Sequence, residues 1–245
     1  MKWLGALLLG ALVACRPAPV DSGAPMSQND QSSTASIQGV AHWTQDPPER
    51  KTINLQAYKQ CQEIYKETPL WDESVLVSAG KRLANVFVYI TNLPEDRKRP
   101  IPAAPVRLRH EKCVYIPRVL GMMKGQTLEI ENADSFLHSD HLMSVVQPKA
   151  DAVAIPDKIR KFRFDKPEVF TTFQCDLHPW EKAYIGVLDH HYFAVTASDG
   201  VFRLPEGLPP GKYSLRACHE KLGKKDLNVV IEAGKPAPSV DIRFP

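Results

Sequence analysis

The sequence carries little net charge, and this argues against one class of function. Its 31 lysines and arginines are nearly balanced by 28 aspartates and glutamates, which leaves a formal net charge of +3. Two short basic stretches, residues 97–99 and 158–163, lack the interleaved aromatic pattern of a nucleic-acid surface, so we expect both to be solvated loops. The composition therefore predicts no nucleic-acid partner.

Long apolar runs are also scarce. The run at residues 3–13 follows Met1 and Lys2 and is too short to span a bilayer, as is typical of an export signal. It ends in Leu-Val-Ala-Cys at residues 12–15, which resembles the lipobox of bacterial lipoproteins. An ordinary cleaved signal with a chance cysteine is the alternative. Acylation of Cys15 would anchor the protein to a membrane, and Arg16 favours the outer membrane, facing the periplasm of the cell envelope.

The rest of the chain predicts an all-β protein behind a tether. Residues 16–36 are too poor in apolar side chains to order themselves, which indicates a flexible linker. Residues 85–91 are rich in β-branched and aromatic side chains at both odd and even positions, as in a strand covered on both faces. Residues 125–132 alternate apolar with polar side chains. Apolar spacings of three and four predict one helix within residues 55–65. Beyond residue 188, short strands and turns predict a small antiparallel sandwich.

The most informative stretch is Cys175-Asp-Leu-His178-Pro-Trp-Glu181. A cysteine and a histidine three positions apart can reach one metal ion if a tight loop turns both inward, and His138, at the end of an upstream strand, could supply a second imidazole. Two imidazole nitrogens and one sulfur form the trigonal set of a type-1 copper site. The alternative is that Cys175 is a small buried apolar residue.

Signatures of catalysis are absent. A trinuclear copper oxidase needs additional His-x-His clusters, and none occurs. His219 and Glu220 have no positioned nucleophile nearby, so we expect them to be structural, and we expect the protein not to be an enzyme. His141 lies three residues beyond His138 and should point to the opposite face of an extended segment.

Several runs together resemble a known family. They occur in order at residues 117–121, 125–130, 175–180 and 192–196, and they resemble bacterial secreted cupredoxin-like proteins of the plastocyanin or amicyanin type. Some members carry a carboxypeptidase-regulatory-like module and are labelled methylamine-utilisation proteins. The resemblance implies a cupredoxin-like Greek-key β-sandwich at residues 37–188, followed by a small carboxypeptidase-regulatory-like (transthyretin-like) β-sandwich at residues 189–245.

The resemblance also implies a ligand set and shows where this sequence departs from it. His138, Cys175 and His178 stand at the copper ligands, but Ser139 replaces the usual asparagine and Glu181 stands at the position of the axial methionine. A carboxylate is a hard ligand, so as an axial ligand Glu181 should favour Cu(II), lower the reduction potential or shift the preference towards zinc.

The other cysteines are interpreted through the same resemblance. The family carries cysteines in the contexts of Cys61 and Cys113, which implies a disulfide, whereas two buried thiols are the alternative. Cys218 stands where the family usually has tryptophan and is interpreted as a core substitute. A Cys175–Cys218 bridge stays open and would abolish the metal site.

These observations lead to two expectations about function. The first is a lipid-anchored protein that binds one type-1-like copper ion and exchanges electrons with a redox partner protein, the electron leaving through His178. The second is a metal-free or zinc-binding envelope module used for structure or interaction, which Ser139 and Glu181 would support.

Overall fold

The computed structural model describes residues 36–95 and 99–245. The export signal, Cys15 and all but the last residue of the predicted linker lie outside the described residues. No helix in the described part of the chain is long and apolar enough to cross a membrane. The elements in chain order are β1 (Gln38–Trp43), α1 (Lys59–Ile64), β2 (Phe87–Ile90), β3 (Val106–Glu111), β4 (Val114–Ile116), β5 (Val119–Met123), β6 (Thr127–Asn132), β7 (His138–Met143), β8 (Asp151–Ala154), β9 (Ile159–Arg163), β10 (Glu168–Gln174), β11 (Lys182–Leu188), β12 (Phe193–Val195), β13 (Val201–Arg203), β14 (Gly211–His219), β15 (Gly223–Ile231) and β16 (Ser239–Phe244).

The strands form two β-sandwiches. In the site sandwich, a five-stranded sheet ordered β5-β11-β10-β7-β8 packs on a four-stranded sheet ordered β4-β3-β6-β9. In the companion sandwich, a three-stranded sheet ordered β13-β1-β16 packs on a four-stranded sheet ordered β12-β2-β14-β15. Each sandwich encloses its own apolar core between its two sheets. The predicted all-β sandwich architecture is confirmed.

Strand pairing does not follow the predicted division at residue 188. Strand β1 pairs in parallel with β16 along its whole length, and β2 lies between β12 and β14. Both early strands thus belong to sheets formed with the last third of the chain. All four residues of β2 are buried, because one face of the strand packs in the companion core and the other faces the site sandwich.

Two glycines allow the sandwiches to approach closely. Gly121 on β5 and Gly186 on β11 are register partners, so they present adjacent backbone without side chains. The rings of Phe87 and Phe193, from the companion sandwich, occupy the space where a Cβ on these glycines would lie. The aromatic contact between the two sandwiches therefore depends on both glycines.

One local prediction is confirmed and another differs from the structure. The short helix predicted within residues 55–65 is α1, Lys59–Ile64, and it begins after a turn at which Asn54 accepts a hydrogen bond from the Gln56 backbone N–H at 3.0 Å. The basic stretch at residues 158–163 is mostly strand β9, which pairs with β6, rather than a loop. Along it, the exposed residues Ile159, Lys161 and Arg163 alternate with the half-buried Arg160 and Phe162, and its exposed charged side chains fit an edge strand.

Candidate metal centre

Backbone hydrogen bonds shape the loop between β10 and β11 into successive tight turns. The N–H of His178 donates to the carbonyl of Cys175 at 3.3 Å, and the N–H of Glu181 donates to the carbonyl of His178 at 2.9 Å. The N–H of Cys175 closes the loop by donating to the carbonyl of Glu181 at 3.0 Å. The side chains of all three residues are thereby turned towards one point.

His138 reaches the same point from the start of β7. Its Nε2 lies 3.0 Å from Oδ2 of Asp134. Because an ionised carboxylate only accepts hydrogen bonds, Nε2 is the donor, and in the neutral imidazole the lone pair of Nδ1 faces the loop. The Asp134 carboxylate also accepts the backbone N–H groups of Lys112 and Cys113, at 2.7 and 2.9 Å. The ring of His138 is thus fixed to a turn of the opposite sheet.

Four ligand-type atoms converge in the interior. Nδ1 of His138 lies 3.1 Å from Nδ1 of His178, 3.8 Å from Sγ of Cys175 and 2.8 Å from Oε2 of Glu181. Nδ1 of His178 lies 3.5 Å from the same sulfur, and all four atoms lie within 4.8 Å of one another. The four residues are 0%, 6%, 0% and 1% exposed, in the order His138, His178, Cys175, Glu181. The structure therefore brings together all four residues proposed as metal ligands.

The arrangement fits a small metal ion. Ligand atoms about 2.0–2.3 Å from one tetrahedral ion lie about 3.3–3.8 Å apart, close to the separations found here. Two imidazole nitrogens, a sulfur and a carboxylate oxygen are a donor set for copper or zinc. Lone pairs aimed at one another without an intervening proton or cation would repel, so the cluster needs one or the other.

The metal-free cluster meets that need with protons. Burial disfavours the charged form of His138, but hydrogen bonds to Asp134, Cys175 and Glu181 outweigh it and raise the pKa of His138 to about 11. The same competition between burial and bonds to Cys175 and Glu181 raises the pKa of His178 to about 8. Burial favours the neutral thiol of Cys175, yet the two histidines lower its pKa to about 6. Burial is likewise overcome at Glu181, where the histidines lower the carboxyl pKa.

A buried polar chain behind Glu181 was not anticipated from the sequence. Oε1 of Glu181 lies 2.8 Å from Nδ1 of His110 on β3, and Nε2 of His110 lies 3.0 Å from Oδ1 of Asp140 on β7. The hydroxyl of Tyr115 donates to the same Asp140 oxygen at 3.0 Å. The sequence signal that could have identified these residues is strand alternation, because His110 and Asp140 occupy inward positions that alternate with exposed or half-buried ones.

The sulfur of Cys175 also contacts Ser139, through the backbone N–H and the hydroxyl of that residue. The backbone N–H of Ser139 donates to Sγ at 3.3 Å. The Ser139 hydroxyl lies 3.8 Å from the sulfur and accepts the Asp176 N–H at 2.7 Å. Serine in place of asparagine therefore still ties β7 to the ligand loop.

A disulfide lies beside the cluster. Cys61 on α1 is bonded to Cys113 in the β3–β4 turn, and both sulfurs lie within 4.8 Å of a ring nitrogen of His178. The indole N–H of Trp180 donates to the carbonyl of Cys113 at 2.9 Å, and the ring of Tyr58 packs edge-on against Trp180 at 4.7 Å. The segment around α1 is thus held over the His178 side of the cluster.

Other residues weighed from the sequence lie outside the cluster. Cys175 and Cys218 are both free thiols, so the Cys175–Cys218 bridge is not formed. His141 is largely exposed and contacts Asp176 at 3.0 Å. Glu220 is engaged in an ion pair with Arg118.

Comparison with known proteins yields partial structural likenesses. No protein-family model and no curated protein matches the sequence. A copper-containing nitrite reductase from Thermus scotoductus is 24% identical over 34% of this chain and 22% of its own, with a TM-score of 0.32. A purple cupredoxin from Nitrosopumilus maritimus is 18% identical over 34% of this chain and 98% of its own, with a TM-score of 0.29. Amicyanin from Paracoccus versutus is 17% identical over 41% of this chain and 96% of its own, with a TM-score of 0.31.

Proposed function

We propose that this protein binds one copper ion through His138, Cys175, His178 and Glu181 and serves as an electron carrier, not as an enzyme. The observation that supports the proposal is the convergence of four buried ligand atoms of these types within 4.8 Å of one another. Copper bound there would supply a one-electron couple.

The residues around the site would serve that couple by keeping the ligand side chains in one geometry. Asp134 fixes the ring of His138, the turn hydrogen bonds fix Cys175 and His178, and burial keeps water away. A ligand set with one geometry for both oxidation states needs little rearrangement when an electron moves.

His178 is the proposed outlet for the electron. It is 6% exposed, whereas His138 is fully buried, and the exposed side chains of Leu137 and Leu177 lie with it at one surface hollow. An apolar surface beside the more exposed imidazole would suit a transient redox partner protein.

Spectroscopy and voltammetry test this function. We expect the purified protein to take up one equivalent of Cu(II), to absorb strongly in the visible and to give a reversible one-electron wave. Cys175→Ser should abolish the visible band, and Cys218→Ser, which changes the other free thiol, should retain it. A colourless protein with copper bound, or a band that survives Cys175→Ser, would contradict the proposal.

A second candidate is a zinc-binding structural module. The position of Oε2 of Glu181, 2.8 Å from His138 and 3.4 Å from His178, favours it, because a carboxylate in a four-ligand set suits zinc. Elemental analysis of protein isolated from its own cells separates the candidates, since copper supports the first and zinc the second.

The location is part of the proposal. We propose that acylated Cys15 tethers the protein to the outer membrane on the periplasmic side, where disulfides persist. The Cys61–Cys113 bond is consistent with such a compartment. Metabolic labelling with a fatty acid, lost in Cys15→Ala, tests the anchor.

A further inference from the structure

A chain of buried hydrogen bonds ends on the carboxylate of Glu181. One oxygen of that carboxylate, Oε2, faces the two imidazoles, and the other, Oε1, is bonded to Nδ1 of His110 at 2.8 Å. The orientation of the carboxylate therefore depends on where His110 lies. The side chains of His110, Asp140 and Glu181 are all completely buried, so solvent does not substitute for these contacts.

His110 is itself held from several sides. Its Nε2 lies 3.0 Å from Oδ1 of Asp140, which also accepts the hydroxyl of Tyr115 at 3.0 Å. Its ring contacts those of Tyr115 and His138, with centroid distances of 4.2 and 4.4 Å. A side chain fixed at both ring nitrogens and packed against two neighbouring rings can hold its neighbour in one orientation.

Without that restraint, the carboxylate of Glu181 has space into which it can rotate. A small cavity of about 20 Å³ adjoins Glu181 and is lined by Tyr115, Arg118 and Trp180, among others. A volume of that size is enough for about one water molecule. A carboxylate released by His110 could turn towards this cavity and away from the imidazoles.

We propose that His110, anchored by Asp140 and Tyr115, is a positioning residue that keeps Glu181 in the metal ligand set and thereby sets the preference of the site for Cu(II) over Cu(I). This inference rests on the proposed copper function. Its physical basis is that an anionic oxygen ligand favours the more highly charged, harder ion. A site with the carboxylate turned away keeps two imidazoles and a thiolate, which serve Cu(I) well.

The test is a set of metal affinities and potentials for wild type and His110→Phe. Phenylalanine keeps a flat ring and removes both hydrogen bonds. We expect Cu(II) affinity to fall about 10- to 100-fold, as for other residues that orient metal ligands, and Cu(I) affinity to fall much less. Each tenfold loss of Cu(II) affinity relative to Cu(I) affinity raises the reduction potential by about 59 mV. His42→Phe, the same exchange at a histidine on β1 of the companion sandwich, should leave the potential unchanged.

A double-mutant cycle separates positioning from mere structural support. If His110 acts through the carboxylate, His110→Phe should change the potential far less in a Glu181→Gln background than in wild type. Asp140→Asn keeps the shape of the side chain that anchors His110 and should shift the potential in the same direction as His110→Phe, by a smaller amount. If His110→Phe does not fold, Asp140→Asn takes its place in the test. An equal shift in both backgrounds, or folded variants with the wild-type potential, would overturn the inference.

Failure of the copper function would be seen separately. If wild type takes up no copper, the electron-transfer proposal is wrong, and Co(II) becomes the probe, since its visible bands report the ligand set. Cobalt bands that change in His110→Phe and not in His42→Phe would support the positioning role. Bands unchanged in both, or no uptake of cobalt by wild type, would overturn it.

Discussion

Three of the four converging side chains hold a proton that a metal ion must displace. In the metal-free protein the pKa values are about 11 for His138, about 8 for His178 and about 6 for Cys175. Below the lowest of these all three groups are protonated, between about 6 and about 8 the two imidazoles are, and above about 8 only His138 is. Protons therefore compete most strongly in acid.

We expect the affinity for Cu(II) to rise with pH, steeply in acid and more gently above about pH 8, where His178 has lost its proton. Competition titrations against a chelator of known pH dependence would measure this. Cys175→Ser should flatten the dependence in acid, because it removes the thiol proton from this competition. An affinity independent of pH between about pH 6 and about pH 8 would contradict the assignment of the ligands.

At the scale of single residues, the sequence predicts the proposed metal ligands better than the residues that hold those ligands in place. Cys175, His178 and Glu181 occur within seven residues, so one loop carries most of the pattern. His110 is a single histidine in an ordinary strand, and its partner Asp140 lies thirty positions away. The two strands belong to opposite sheets, so the packing of one sheet on the other determines that contact, and a parity pattern alone leaves many partners open.

Among the elements, the short helix α1 and the turn between β3 and β4 act together. Both turn residues, Lys112 and Cys113, have positive φ angles, of 54° and 59°, which non-glycine residues rarely adopt. The turn is held by the Asp134 carboxylate, by the hydroxyl of Tyr65 at 2.8 Å and by the disulfide to Cys61. The disulfide thus fixes a loop of irregular structure against the metal centre.

We expect the double change Cys61→Ala and Cys113→Ala to lower the free energy of unfolding by roughly 4 kcal/mol, because the bridge closes a loop of 52 residues. Urea denaturation followed by fluorescence would measure it. Cys218→Ala is the matched control and should cost much less, since that thiol is free and only partly buried. A midpoint unchanged by loss of the bridge would show that the packing of Tyr58 and Trp180 holds the segment without it.

Element types were largely predictable, while their extents were less so. Strand β2 could be identified because all its side chains are apolar, and burial on both faces is what the structure shows. The helix was predicted within residues 55–65 but its first residue was not, because apolar spacing does not register the Asn54 side-chain bond that turns the chain before it. Local competition of this kind is invisible to a pattern of apolar positions.

For the whole molecule, the order of strands in space departs most from their order in the chain. Strands β1 and β16 are parallel neighbours although they stand at opposite ends of the described chain. Such pairing depends on long-range contacts and not on any local motif, so the predicted segments 37–188 and 189–245 did not include it. The described chain therefore starts in the companion sandwich, passes through the site sandwich and returns, so the two sandwiches are joined by chain crossings as well as by packing.

The packing between the sandwiches can be tested at Gly186. A Cβ there would overlap the ring of Phe87, which is fully buried between the two sandwiches. We expect Gly186→Ala to destabilise the whole protein by about 1–3 kcal/mol through overpacking, measured by urea denaturation. Gly80→Ala is the control, because its nearest non-neighbouring side-chain atom would lie an ordinary 3.7 Å away.

A second change shows whether the loss comes from this contact. Phe87→Leu replaces the ring that meets Gly186 with a smaller side chain. Adding Phe87→Leu to Gly186→Ala should therefore lower the free energy of unfolding by less than Phe87→Leu does on its own. Additive effects would mean that the alanine acts elsewhere, for example on the β5–β11 pairing that Gly186 shares with Gly121. Because three of the four proposed metal ligands lie in the loop before β11, retention of copper binding in Gly186→Ala would further show that the strain stays at the contact between the sandwiches.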